Sequence, residues 1–397
     1  MSKSSPRQAS VGLALAGGGP LGAIYEIGAL CALEEALPGF KFTECQGYIG
    51  VSAGGFIAAG LANGLSPRQL CAAFIENTAP APDRFDPALL LRPAWGEYRR
   101  RLAKLPGLLG RALWQVAVEG RSALGALERL GPALPTGLLS GEPIAEQLRA
   151  QFSLPGRTDD FRQLKSRLVL VATDLDSGQA MPFGMPGHDH VPISRAVQAS
   201  AALPGLFPPV RIDGRFYVDG ALKKTLHASV LLAHKPELLI CLNPLVPYRA
   251  DVGEEIPPLV DAGLPVVLSQ TFRSLIHSRL ELGMKGYARS HPETDILLFE
   301  PDPRDAELYM ANTFSYSQRR RLAEHAYQQT RAILRRQFAS LRPRLAGHGL
   351  TLDESVLFDA SRQLLADKPP ERTPAQRTAD AMKQLDAALT RLESRMA

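Results

Sequence analysis

Gly50-Val51-Ser52-Ala53-Gly54 is a G-x-S-x-G motif. It lies between a short apolar run, Tyr48–Val51, that reads as a strand and a small-residue stretch, Ala53–Ala59, that reads as a helix. Serine chemistry needs that setting. A hydroxyl on a sharp strand-to-helix turn is held in a strained backbone conformation, at the positive end of the helix that follows. Gly50 and Gly54 remove side chains that would collide in so tight a turn. The spacing predicts a Ser52 hydroxyl pointing into solvent. A glycine-rich packing turn with an incidental serine would have the same local sequence.

A second glycine cluster, Gly17-Gly18-Gly19-Pro20-Leu21-Gly22, follows the apolar run 11–16 and precedes another helical stretch. Successive glycine amides in such a loop can all face one anion. In acyl transfer they would be preorganised donors to the tetrahedral oxyanion, each worth about 3–4 kcal/mol. Gly17, Gly19 and Gly22 also satisfy G-x-G-x-x-G, which raises a nucleotide-binding oxidoreductase as a rival. That fingerprint requires an acidic residue at the tip of the second strand. Here the strand ends in Gly50-Val51-Ser52, and Glu44 lies before it.

A serine nucleophile needs a base within hydrogen-bond reach. The eight histidines, His188, His190, His227, His234, His277, His291, His325 and His348, sit in no catalytic-loop pattern. His188-Asp189-His190 reads as a polar loop, with no further ligands to complete a metal site. Asp219-Gly220-Ala221 is the better candidate. It ends an apparent hairpin made of Val210–Ile212, a turn at Asp213-Gly214, and Phe216–Val218. A carboxylate at a strand tip, with glycine after it, can approach another backbone closely. A β-turn aspartate is the plainer reading, but Asp213-Gly214 already supplies the turn.

In this order, these three motifs resemble the patatin-like phospholipases. Two further segments look like the same family: Ala172-Thr173-Asp174-Leu175-Asp176-Ser177-Gly178, and Ala199 to Pro209 (ASAALPGLFPP). The resemblance covers roughly residues 11–225, with 75–165 only loosely matched. It implies a Ser52–Asp219 dyad without a catalytic histidine, and an oxyanion hole built from the glycine loop, chiefly the Gly18 and Gly19 amides. It also implies a three-layer α/β/α fold with a mainly parallel central sheet. The family usually carries Arg or Lys where this chain has Leu21. The implied reaction is hydrolysis of fatty acyl esters through a Ser52 acyl-enzyme, with no cofactor and no metal. A catalytically silent lipid-binding or scaffold protein on the same fold is the alternative.

The elements that must position these residues follow from the pattern. Strands are expected at 11–16, 48–51, 168–172, 238–242 and 295–299, with helices at 23–37 and 193–202. Residues 92–135 mix Arg with Leu and Trp and should form two or three short helices suited to a lipid interface. The segment 273–289, with Phe272, Leu275, Ile276 and Leu280 on one face, reads as core-packed. A single long basic helix is expected over 316–345. The organisation is then a polar tail at 1–10 and a catalytic core at 11–225 with a helical insertion near 75–165. The rest of the same domain follows at 226–365, then a linker at 366–375 and an amphipathic helix at 376–397. Its Met382, Leu385, Leu389, Leu392 and Met396 stripe suits docking on its own domain or homo-oligomerisation.

Composition fits this reading. Of 397 residues, 45% are hydrophobic and 21% charged, with net charge +5, which is close to globular averages. No apolar run reaches about 18 residues, and 11–16 is too short for a secretory leader. A cytoplasmic protein, free or peripheral on the inner face of a membrane, is expected. Cys31, Cys45, Cys71 and Cys241 read as reduced core thiols. Nucleic-acid binding has no motif support.

Overall fold

The computed structural model describes residues 9–118, 130–224, 226–250, 258–309 and 316–365. The chain divides into a body over Met1–Leu364 and a C-terminal unit over Leu365–Ala397. The expected linker and the helix at 376–397 lie outside the described residues, as does 119–129 of the insertion.

The body is built on one mixed sheet of β1 (Val11–Leu15), β2 (Gly47–Val51), β3 (Arg167–Asp174), β4 (Ala180–Phe183), β5 (Val210–Ile212), β6 (Arg215–Asp219), β7 (Leu238–Leu242) and β8 (Asp295–Phe299). Its strands pair as β5-β6-β3-β2-β1-β7-β8, with β4 also on β3. The pairs among β3, β2, β1, β7 and β8 are parallel. β4, β5 and β6 pair antiparallel. The parallel strands are near-continuous apolar runs because both faces are covered. On one face Ala14, Ile49, Val51, Val169, Val171 and Cys241 pack against Leu231 and Leu232 and against Ile276 and Leu280 of helix Leu264–Ser290. The opposite face is covered by α1 (Gly19–Ala36) and α2 (Ala53–Ala62), with helix Tyr316–Arg336 lying on α1. This is a three-layer α/β/α architecture.

The register places the site. Leu170 and Val171 of β3 pair with β2 on one edge and with β4 on the other. One residue later, Ala172 and Thr173 pair with β4 and with β6. A strand has only two edges, so β6 continues the edge that β2 leaves. The two strands run head to head, and their tips are Val51, paired with Val171, and Asp219, paired with Ala172.

Three expectations change. The helix expected over 316–345 is two, Tyr316–Arg336 and Phe338–Gly347. The turn at Gln337 buries Leu341 and Leu345 and sets Phe338 against Phe358 (ring centroids 5.9 Å apart). Phe272 and Leu275 are not core-packed: on helix Leu264–Ser290 only Ile276 and Leu280 of that group face inward. The antiparallel β4 has no counterpart in the sequence reading. Helices Trp95–Leu102 and Leu105–Ala117 fall in the stretch where short helices are expected. The four cysteines are free and buried.

α1 crosses helix Tyr316–Arg336 at Gly28, where an added methyl would lie 2.5 Å from the Ala323 carbonyl oxygen. Gly28→Ala is expected to cost about 1–3 kcal/mol through overpacking. A thermal melt should show Tm lowered by several degrees; an unchanged melt would mean that the two helices separate freely.

Candidate active site

Ser52 is the hinge between β2 and α2. Its φ of 54° and ψ of −123° lie where a residue with a side chain is strained, at a typical cost of about 1–3 kcal/mol. The surroundings require the glycines on either side. A methyl on Gly50 would lie 2.5 Å from Gly55 Cα, and one on Gly54 would lie 2.4 Å from the Ala16 carbonyl oxygen. The Gly54 N–H donates to that same Ala16 oxygen (3.1 Å), which ties the serine turn to the end of β1. Contrary to the sequence expectation, Ser52 does not stand out in solvent: it is only 7% accessible. Three backbone segments close over it.

The first is the glycine loop. A methyl on Gly17 would lie 3.1 Å from Ser52 Cβ and 3.2 Å from Ala221 Cβ, so the loop passes directly beside both. Gly18 caps α1 with φ 157° and has Gly22 Cα and Pro244 Cγ each 2.8 Å from where its Cβ would be. Gly19 has φ 60°. Among the described residues the amides of Gly17, Gly18, Gly19 and Ala53 donate to no protein acceptor. They are the free donors where the N-termini of α1 and α2 converge, a favourable place for negative charge. Leu21, in the family's basic position, is buried.

The second segment carries Asp219. Its Oδ1 accepts the Ala221 N–H (2.8 Å), capping the short turn Gly220–Leu222. The plain turn-aspartate reading therefore holds, and it leaves Oδ2 without a backbone donor among the described residues. Gly220 is needed for the fit, because a methyl there would meet the Val171 carbonyl oxygen at 2.1 Å. Burial pushes the Asp219 carboxyl up to about 6, partly offset by the Ala221 amide and the neighbouring Ser52 hydroxyl. His227 lies behind this turn with a ring nitrogen 3.4 Å from the Gly220 carbonyl oxygen. Burial pushes it down to about 4, with Lys224 and Lys223 adding to the effect, so it is neutral at physiological pH.

The third segment is the end of helix Ile193–Ser200, to which sequence reasoning gave no role. Ser200 Oγ accepts the Ser52 N–H (2.8 Å) and donates to the Val171 carbonyl (2.6 Å). It replaces the ladder bond that β2 loses as the chain turns away from β3. Two residues on, the Ala202 carbonyl accepts the Asp219 N–H (3.0 Å). One short stretch thus fixes the backbones of both Ser52 and Asp219. The only signal in the sequence is the run of small residues Ala199-Ser200-Ala201-Ala202.

The remaining candidates fall elsewhere. His190 pairs with Asp213 on the surface (2.8 Å), and no group of His, Cys, Asp and Glu among the described residues could hold a metal.

The sequence matches the family described as Patatin-like phospholipase over residues 13–232. That interval holds every residue just described around Ser52 except Pro244. The chain belongs to the patatin-like phospholipase family. Uncharacterised NTE family proteins of Mycobacterium tuberculosis and Mycobacterium bovis are 27% identical to it over 180 residues, 45% of this chain and 44% of each relative. The chain thus spans less than half the length of these curated relatives. Among solved structures, VipD from Legionella pneumophila aligns over 83% of this chain and 67% of its own, at 18% identity and TM-score 0.36. The type III effector ExoU aligns over 84% and 54%, at 18% identity and TM-score 0.33.

Ser200→Ala leaves the Ser52 N–H and the Val171 carbonyl unpaired, at a cost of about 1–3 kcal/mol. The expected result is a Ser52 that reacts at least tenfold more slowly with a fluorophosphonate, in a protein that still melts cooperatively. Unchanged reactivity would show that the elbow holds without the bridge.

Proposed function

We propose that the protein is a lipid acyl hydrolase in which Ser52 is the nucleophile, Asp219 its base, and the Gly17–Gly19 amides the oxyanion hole. The observation that supports this most is the meeting of a strained serine and a buried carboxylate beside a glycine loop whose amides have no acceptor among the described residues. In the first step Asp219 takes the Ser52 proton as Oγ attacks the ester carbonyl. The tetrahedral oxyanion is held by the glycine amides. Collapse releases the alcohol, which takes the proton from Asp219, and leaves the acyl-serine. Water, deprotonated by Asp219, then attacks the acyl carbon, and the fatty acid leaves as Ser52 regains its proton. A carboxylate raised to about 6 is a better base than an ordinary aspartate and remains ionised at neutral pH.

The substrate class proposed is the fatty acyl ester of a phospholipid or lysophospholipid. Such substrates are met at an interface. Helices Trp95–Leu102 and Leu105–Ala117 expose Trp95, Leu102, Leu109 and Trp114, beside exposed Arg99, Arg100, Lys104 and Arg111. That mixture suits peripheral contact with a membrane. No helix among the described residues is long and apolar enough to cross one.

A fluorophosphonate probe should label Ser52, located by mass spectrometry, and labelling should vanish in Ser52→Ala and fall by orders of magnitude in Asp219→Asn. Labelling at another serine, or none with lipid vesicles present, would sink the proposal. The rate should also fall as pH drops below about 6, because protonated Asp219 cannot accept the proton.

The same shift carries a stability consequence. A folded-state pKa above the ordinary 3.8 means that this carboxyl's contribution to stability is most favourable below pH 4 and is lost as pH rises through about 6. The charged carboxylate then costs on the order of 3 kcal/mol at neutral pH. Asp219→Asn should therefore melt higher than wild type at pH 7.5 and lose that advantage at pH 4. Equal melting at both pH values would show that the carboxylate carries no such penalty.

A further inference from the structure

Helix Leu264–Ser290 is apolar on two faces. Ile276 and Leu280 point into the core. Leu264, Leu268, Phe272, Leu275 and Leu282 point outward, each between 41% and 69% exposed. Their spacing of 4, 4, 3 and 7 keeps them in one stripe along the helix. A contiguous apolar stripe left in water marks a surface that something covers.

Beside the stripe, the C-terminal half of the same helix walls a cavity of about 440 Å³. The opposite wall is the segment that leaves Asp219. Lys223, Lys224, His227 and Arg279 line the cavity, with the hydroxyl-bearing Tyr287 and Ser290. No carboxylate is among its described lining residues. Arg279 is fixed in place by donating to the Leu222 carbonyl (3.0 Å), and Lys223 by donating to the Gly178 carbonyl (2.8 Å). Three permanent cations and the Tyr287 hydroxyl around a cavity of this size fit a phosphate group, while the Ser290 hydroxyl donates to the Gly286 carbonyl (3.0 Å).

The stripe decides where that phosphate comes from. Apolar side chains next to a cationic pocket match a bilayer edge, where acyl chains lie directly beneath phosphates. We propose that helix Leu264–Ser290 is a membrane-docking element. Its outer stripe enters the acyl region of an anionic bilayer, and the cavity formed by Lys223, Lys224, His227 and Arg279 takes the phosphate of one anionic phospholipid. The cavity wall is continuous with the turn that carries Asp219. The inference rests on these surfaces and does not require Ser52 to be active.

The test uses the full chain carrying Ser52→Ala, so that no lipid is consumed. Flotation with phosphatidylcholine vesicles is compared with and without phosphatidic acid. Binding should need phosphatidic acid. It should weaken about fivefold in Lys224→Gln, the effect of one interfacial cation, and at least tenfold in Phe272→Ser/Leu275→Ser. Both variants change exposed side chains and should melt like the parent. Equal binding to both kinds of vesicle, or binding that survives Lys224→Gln unchanged, would overturn the phosphate site. Binding that survives the stripe variant would overturn the docking helix. Inorganic phosphate bound in calorimetry without any preference for phosphatidic acid vesicles would assign the cavity to a soluble anion and overturn the membrane role. Because hydrolysis is disabled throughout, these outcomes are separate from success or failure of Ser52 labelling.

Discussion

The site depends on two strands of opposite direction meeting on one edge of β3. β2 ends opposite Val171 and β6 ends opposite Ala172. Backbone hydrogen bonding to a shared neighbour sets the separation of Ser52 and Asp219 to a single residue step, which side-chain packing alone would not do. A slip of one residue would send either side chain to the other face of the sheet. The rest of the core keeps that register: apolar layers on both faces of β3, and the antiparallel β4 holding its other edge.

This junction leaves backbone groups unpaired, and the structure settles most of them with short, local devices. Ser200 bridges the Ser52 amide to the Val171 carbonyl, Ala202 takes the Asp219 amide, and Ala16 takes the Gly54 amide. Among the described residues, the amides that stay free are those of Gly17, Gly18, Gly19 and Ala53. They lie at the N-termini of α1 and α2, where negative charge is favoured.

Burial works in two directions at Asp219. It makes the carboxylate more basic and it makes the ionised form expensive, so basicity and stability oppose each other at one atom group. On the far side of the same turn the local charge is positive, through Lys223, Lys224 and Arg279. A single loop therefore divides an acidic interior from a cationic surface, and helix Leu264–Ser290 supplies both the core packing behind it and the apolar stripe beside it.

The strand-to-helix turn at Ser52, the glycine loop before α1 and the strand end at Asp219 were legible in the sequence, because each is a local backbone requirement. A serine between a strand and a helix, three successive glycines and an aspartate-glycine at a strand tip restrict the chain wherever they occur. The long apolar strands were legible because burial on both faces leaves no polar alternation. Tertiary structure alone decided the rest. Ser200 was marked only as part of the Ala199–Pro209 segment, and its role exists only where β2 and β3 diverge. The seclusion of Ser52 comes from three segments distant in sequence. The outward Phe272 and Leu275 share their helix with the inward Ile276 and Leu280, and hydrophobicity does not say which stripe finds a partner. The break at Gln337 answers to where Leu341 and Leu345 are buried. In each case the deciding partner lies far along the chain, and composition and period describe only the near side of a contact.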